Sequence, residues 1–121
     1  MKRLKKVIKS VSSKIYDKKY YLTVCPGSEE FKESGGKKLH PRLEKLLQQI
    51  KIDKSTKILD VGCGRGDITL YLARNAKEAV GIDYSKEAIK LANSTKKNFP
   101  LAIRKKVHFK VMNAKALSFP D

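Results

Sequence analysis

Apolar positions recur in two rhythms along the chain, and each rhythm predicts a different kind of element. Within the first 19 residues the spacing is helical, among lysines and serines, at Leu4, Val7, Ile8, Val11 and Ile15. From residue 57 onward the apolar runs are short, as expected of buried strands: KILDV (57–61), AVGID (79–83) and VHFKVM (107–112). Because helical patterns separate these strands, we expect right-handed crossovers and a parallel sheet.

Two helical patterns connect the strands. The first covers residues 67–75, and one face of it is predicted to carry Ile68, Tyr71 and Leu72. The second has Ser85 at a predicted N-cap and runs to about Lys97. The residues from 98 to the third strand are expected to form a connection.

The region before the first strand combines turn signals with one further helix. Residues 20–38 are loop-like in composition, with Pro-Gly and Gly-Gly pairs. Their aromatic rings could help to close a ligand pocket or anchor a loop to the core: Tyr20, Tyr21 and Phe31. A helix is then predicted to begin near His40, because Pro41 suits a first helical turn. We expect His40 to start this helix rather than to act in chemistry.

Composition and charge describe a small and strongly basic protein. The chain has 121 residues, with 28 Lys and Arg against 12 Asp and Glu, a formal net charge of +16. Its first 24 residues carry eight basic residues and one acidic residue, or +7. The amino-terminal helix could therefore lie on an anionic membrane or nucleic acid, or pack on the domain with its lysines solvated. Only five of the basic residues are arginines, the usual bidentate phosphate ligands, which weakens the nucleic-acid interpretation.

Cysteine content and hydropathy exclude several classes of protein. Two cysteines, Cys25 and Cys63, cannot form a disulfide scaffold or a four-thiolate zinc site, and we expect no metal. No apolar run approaches the roughly 20 residues of a membrane span. Lysines and serines interrupt any apolar stretch near the amino terminus, so we identify no secretory signal and expect a reduced, cytoplasmic protein.

The strongest chemical signal is the sequence DVGCGRGD, residues 60–67, which ends a strand and opens a helix. Its glycines are spaced G-x-G-x-G, whereas dinucleotide sites use G-x-G-x-x-G. Asp60 at the strand end would repel a pyrophosphate but attract an ammonium group. Asp83 ends the second strand, where an acid can accept hydrogen bonds from both ribose hydroxyls. A nucleoside with an amino-acid tail, such as S-adenosylmethionine, satisfies both acids.

The stretch KILDVGCGRGDITLYLAR, followed by AVGIDYSKEAIKLA, resembles the nucleotide-binding half of class I, seven-strand S-adenosylmethionine-dependent methyltransferases. The resemblance covers about residues 36–121. It implies that Asp60 lies near the amino group of the cofactor and that Asp83 binds the ribose. The other residues that it implies as cofactor-binding are the turn Gly62, Cys63 and Gly64 under the methionine part, and Tyr84, Asn113 and Ala114 around the adenine. At Asn113 the family often has an acid.

The same resemblance implies the fold class: an α/β, Rossmann-like parallel sheet with flanking helices, preceded by a helical amino-terminal extension. We expect a basic extension over residues 1–36 and a partial cofactor-binding domain over residues 37–121. In the family strand order 3-2-1-4-5-7-6, the three strands found here form one half of the sheet, with the first strand at an edge. We therefore expect an amino-terminal fragment, or a chain that self-associates or pairs with a partner chain through this open edge.

The sequence thus predicts an S-adenosylmethionine-dependent methyltransferase whose acceptor and catalytic base it does not identify. Two alternatives remain. One is a cofactor-binding module that does not catalyse transfer, or a half-domain that needs a partner chain. The other is a basic protein that binds nucleic acid or a membrane surface through its amino-terminal helix.

Overall fold

The computed structural model describes residues 27–113 of the chain. Several features predicted from the sequence lie outside these residues: the amino-terminal amphipathic helix, Tyr20, Tyr21, Cys25 and Ala114. Within the described residues, no helix is both long enough and apolar enough to cross a bilayer. The boundary at residue 36 between extension and domain stays a prediction.

A short helix, α1 (Ser28–Ser34), lies in the segment whose composition predicted a loop. It begins after Gly27 and carries two acids in its first turn, where they interact favourably with the positive end of the helix dipole. It ends at Gly35, whose left-handed backbone lets its N–H return to the carbonyl of Phe31. The turn signals of the sequence therefore mark the two ends of a helix, and the Phe31 side chain is buried.

The second helix, α2 (Pro41–Leu47), begins as predicted. Pro41 occupies its first turn, and His40 is the N-cap. The Nδ1 atom of His40 accepts a hydrogen bond from the backbone N–H of Arg42 at 3.2 Å. His40 is therefore confirmed as a residue that starts a helix.

Three parallel strands form one sheet in the order β1-β2-β3. They are β1 (Lys57–Val61), β2 (Glu78–Asp83) and β3 (Val107–Val111). The connecting helices are α3 (Asp67–Ala73), α4 (Lys86–Lys96) and the short α5 (Leu101–Arg104). The parallel sheet, its strand order and its flanking helices are confirmed. Helix α5 lies in the segment that was expected to be only a connection.

Helices α3 and α4 pack against the sheet and against each other, and the core lies between these layers. The core cluster consists of Leu70, Ala73, Ala79, Phe99 and Val107. The apolar face predicted for α3, which carries Ile68, Tyr71 and Leu72, is half-buried. The fully buried positions include Thr69 as well as Leu70 and Ala73. A polar residue takes a core position here because its hydroxyl is hydrogen-bonded inside the protein.

Strand β1 lies at an edge of the sheet, as predicted, and among residues 27–113 no strand pairs with its outer side. Leu59 and Val61 on this strand are 44% and 53% exposed. Open apolar edges favour association with another strand. Association of this chain through β1 stays a prediction.

Gly66 and Gly62 give a matched test of how tightly the turn before α3 is packed. Both have positive φ, 81° and 77°, so alanine at either position costs about 1–2 kcal/mol in backbone strain. A Cβ at Gly66 would also lie 2.6 Å from the Phe109 ring, whereas a Cβ at Gly62 would meet no atom within 4 Å. Overpacking adds roughly 1–3 kcal/mol. Urea denaturation should therefore show a larger loss of unfolding free energy for Gly66→Ala than for Gly62→Ala, and equal losses would contradict this packing.

Candidate functional site

Backbone hydrogen bonds fold the glycine turn, residues 62–66, over the carboxyl end of β2. The N–H groups of Gly62 and Cys63 both donate to the carbonyl of Ile82, at 2.8 and 2.9 Å. The N–H of Gly64 donates to the Asp83 carboxylate at 3.0 Å. The turn that follows one strand is thus held by the end of the neighbouring strand.

Asp83 links the turn to the start of α4. Its Oδ2 atom accepts from Gly64, and its Oδ1 atom accepts from the backbone N–H of Ser85 at 2.9 Å. The residue is only 6% exposed. Each carboxylate oxygen has a second lone pair, so these bonds leave acceptor capacity for ribose hydroxyls. The structural role of Asp83 was missed in the sequence, because a spacing of 19 residues between Gly64 and Asp83 carries no local signal.

Asp60 lies near the end of β1, and its environment disfavours its own charge. Burial raises the pKa of the Asp60 carboxyl, and the nearby charges of Asp67 and Asp83 raise it further. One hydrogen bond acts in the opposite direction: the hydroxyl of Thr69 donates to Asp60 Oδ2 at 2.6 Å and lowers the pKa. Three carboxylates therefore surround the glycine turn, an arrangement that favours a cationic ligand group.

Gly62 and Cys63 differ in what they present at the turn. A Cβ at Gly62 would project into open space, with no protein atom within 4 Å. The Cys63 side chain points into the protein. A Cβ added to Gly81 would lie only 2.9 Å from the Cβ of Cys63. Burial raises the pKa of the Cys63 thiol strongly, so the thiol stays neutral and unreactive. Cys63 therefore contributes its backbone, and not its thiol, to the surface of the turn.

The residues expected around an adenine follow the carboxyl ends of β2 and β3. Tyr84 directly follows β2 and is exposed. The N–H of Met112 donates to the carbonyl of Asp83 at 2.9 Å, which keeps the chain after β3 beside the end of β2. Asn113 comes next and is exposed. The structure thus brings Asp60, the glycine turn, Asp83, Tyr84 and Asn113 to one edge of the sheet.

Arg65 belongs to the glycine turn, and its side chain is buried, with the residue 6% exposed. Its Nη2 atom lies 3.3 Å from Asp67 Oδ2, and its guanidinium lies over the Phe31 ring, 5.0 Å from the centroid. Burial raises the pKa of Asp67, and the charge of Arg65 opposes this rise. Phe31 therefore anchors α1 to the turn, a contact that no sequence spacing indicated.

Among residues 27–113, no group of three or more His, Cys, Asp or Glu side chains is arranged to hold a metal ion. The acidic groups around the turn are instead individually hydrogen-bonded or ion-paired, as Asp60 is to Thr69 and Asp67 is to Arg65.

A parallel sheet with a glycine turn at its carboxyl edge, and an acid at the end of each of two adjacent strands, defines a Rossmann-like nucleotide-binding domain. Residues 52–121 match the family model described as a methyltransferase domain. The chain belongs to this methyltransferase family.

Curated relatives and solved structures resemble the same part of the chain. An uncharacterized RNA methyltransferase of Oceanobacillus iheyensis is 36% identical over 75 residues, covering 62% of this chain and 16% of that protein. The demethylmenaquinone methyltransferase of a Geobacillus strain is 33% identical over 81 residues, covering 64% and 33%. The solved structure of M. capricolum TrmK, in complex with S-adenosyl-homocysteine, superimposes with a TM-score of 0.52 at 25% identity, covering 62% of this chain and 32% of that chain. The chain thus spans a third or less of the length of these proteins.

The charge of Asp60 should reduce stability in a pH-dependent way. Because burial raises its folded pKa above the unfolded value of about 3.9, the ionised carboxylate destabilises the fold at neutral pH. As the pH falls through the unfolded pKa of about 3.9, the carboxyl becomes protonated in both states, and this penalty fades. Asp60→Asn should therefore melt at a higher temperature than the wild type at pH 7, and the difference should close toward pH 3.5.

Asp53→Asn is the control for this measurement. Asp53 is exposed, and hydrogen bonds from Ser55 lower its pKa, so its ionised form is not destabilising. This variant should show no rise in melting temperature at pH 7. An Asp60→Asn melting temperature at or below that of the wild type would show that the Asp60 charge does not destabilise the fold.

Proposed function

We propose that this chain supplies the cofactor-binding half of an S-adenosylmethionine-dependent methyltransferase. The observation that carries the proposal is the pair of acids, Asp60 and Asp83, on either side of a glycine turn with open space in front of Gly62. A carboxylate for an ammonium group and a carboxylate for a ribose fit the two ends of S-adenosylmethionine. Membership of the methyltransferase family supports the same conclusion.

Each site residue has a proposed contact. Asp60 accepts from the amino group of the cofactor, and the backbone of Gly62, Cys63 and Gly64 lies under its methionine part. Asp83 accepts from the ribose hydroxyls. The adenine is bound by Tyr84 against its face, by Asn113 at its amino group and by the backbone N–H of Ala114 at a ring nitrogen. The Asn113 side chain carries a carbonyl oxygen that can accept this hydrogen bond without a charge.

Methyl transfer requires mainly positioning from the protein. When bound, S-adenosylmethionine supplies an electrophilic methyl group on a positively charged sulfur. The residues of this chain hold the cofactor so that an acceptor atom can approach the methyl group in line, at about 3 Å. We assign no catalytic base, since His40 caps a helix through Nδ1.

The similarities to curated relatives do not identify the methyl acceptor. By their names, one relative acts on RNA and another on demethylmenaquinone, at 36% and 33% identity. Two proteins whose names give such different acceptors are thus similar to this chain, over 75 and 81 residues. We keep a cytoplasmic location as part of the proposal, and it rests on the sequence alone.

Two alternatives differ from this proposal in measurable ways. A module without catalysis would bind the cofactor but transfer no methyl group to any acceptor pool. A basic nucleic-acid or membrane-surface protein would bind RNA or anionic vesicles with an affinity that falls steeply as salt rises. Cofactor binding accompanied by methyl transfer distinguishes the proposed function from both.

Isothermal titration of the full chain with S-adenosyl-homocysteine tests the first step. The wild type should bind one equivalent. Gly62→Ala should weaken binding at least about tenfold, because the new methyl group projects into the space that the methionine part is proposed to fill.

Gly35→Ala is the matched control for the titration. Gly35 also has a positive φ, 65°, but it ends α1, and a Cβ there would meet the exposed Asn98 side chain. It should therefore bear a similar backbone strain while keeping wild-type affinity. A folded wild-type chain that fails to bind S-adenosyl-homocysteine would refute the proposed function.

A further inference from the structure

Thr69 is a buried polar residue that neither the glycine motif nor the pair of acids explains. It lies in α3, and none of its surface is exposed. Its hydroxyl donates to Asp60 Oδ2 at 2.6 Å, across nine residues of sequence. A threonine within a helix commonly returns its hydroxyl to a backbone carbonyl of the preceding turn. Here the hydroxyl is directed at a side chain of the candidate cofactor site.

This contact leaves the Asp60 carboxylate with one oxygen fixed and one available. Oδ2 is bound by Thr69, whereas Oδ1 has no hydrogen bond among the described residues. Asp60 is half-buried, and it lies two residues before Gly62, where a Cβ would project into open space. A short bond to one oxygen restricts the rotation of the carboxylate and sets the direction in which the other oxygen points.

We infer that Thr69 is a positioning residue, which orients Asp60 so that its Oδ1 atom accepts from the ammonium group of the bound cofactor. The inference rests on the proposed function, because it needs a ligand with an amino group at this edge of the sheet. Thr69 itself makes no contact with the ligand. Its effect should therefore be confined to ligands that carry the amino-acid tail.

The surroundings of Asp60 disfavour its ionised form, and the Thr69 hydrogen bond counteracts them. Asp83 on β2 and Asp67 on α3 both raise the pKa of Asp60, and burial raises it more than either. The nearby Cys63 thiol is neutral, because burial raises its own pKa. The Thr69 hydrogen bond lowers the pKa of Asp60 against these effects. Loss of the hydroxyl should therefore move the protonation of Asp60 to a higher pH.

Two substitutions distinguish the effect of the Thr69 hydroxyl from the effect of its side-chain packing. Thr69→Val keeps the shape of the side chain but removes the donor, whereas Thr69→Ser keeps the donor but removes the buried methyl group. Two ligands separate the ammonium contact from the remainder of the site. S-adenosyl-homocysteine carries the amino-acid tail, and 5′-methylthioadenosine has the same nucleoside and sulfur without it.

Titration calorimetry of the full chain with both ligands tests the inference, and we expect the following pattern. Thr69→Val should bind S-adenosyl-homocysteine roughly tenfold or more weakly, with 5′-methylthioadenosine bound as by the wild type. As pH falls, the affinity of Thr69→Val for S-adenosyl-homocysteine should decline at a higher pH than that of the wild type. Thr69→Ser should restore both the affinity and the pH profile.

Other outcomes identify which statement fails. If Thr69→Val weakens both ligands equally, the hydroxyl supports the whole site rather than the ammonium contact, and the inference is overturned. If Thr69→Ser binds as weakly as Thr69→Val, the donor alone does not account for the loss, and the inference is overturned as well. If Thr69→Val binds both ligands as the wild type does, Thr69 has no positioning role. If a folded wild type binds neither ligand, the proposed function fails, and the inference that rests on it fails as well. Thermal melts of each variant confirm that the comparison is made between folded proteins.

Discussion

The candidate site depends on the way the glycine turn is fastened to the end of β2. The turn follows β1, but its N–H groups are satisfied by the carbonyl of Ile82 and the carboxylate of Asp83. Parallel pairing places Val61 beside Ile82, so the two strands end together and these bonds can form. An unpaired buried N–H costs about as much as a lost hydrogen bond, which makes this the conformation that satisfies the backbone. The same turn leaves open space before Gly62.

The same edge of the sheet gathers negative charge at a cost to stability. Asp60, Asp67 and Asp83 lie close enough for the charges of Asp67 and Asp83 to raise the pKa of Asp60, and burial raises the pKa of both Asp60 and Asp67. Each acid has its own compensation: Thr69 for Asp60, Arg65 for Asp67, and two backbone N–H groups for Asp83. Sites that bind charged ligands commonly hold such perturbed groups. The interior of this small domain thus contains the polar contacts of the candidate site as well as an apolar core.

Helix α1 is tied to this site by one aromatic ring. The Arg65 guanidinium lies between Asp67, at the start of α3, and the Phe31 ring of α1. Such a cation–π contact gains strength when it is shielded from water, as the burial of both residues indicates. The Phe31 ring was considered from the sequence as a cover for a ligand pocket or as an anchor for a loop. In the structure it packs under Arg65, which makes it an anchor.

The sequence by itself determined the elements whose causes are local. Apolar runs of five or six residues predicted all three strands, with KILDV matching β1 residue for residue. The helix start near His40 followed from the proline after it, and the cap at Ser85 followed from residue type beside a helical pattern. The glycine spacing located the turn. Tertiary structure alone decided which polar groups are buried together. The contacts of Thr69 with Asp60, of Gly64 with Asp83 and of Arg65 with Phe31 join residues on different elements. Each forms only after strand pairing and helix packing have brought those elements together, and periodicity within one element contains no information about its neighbour.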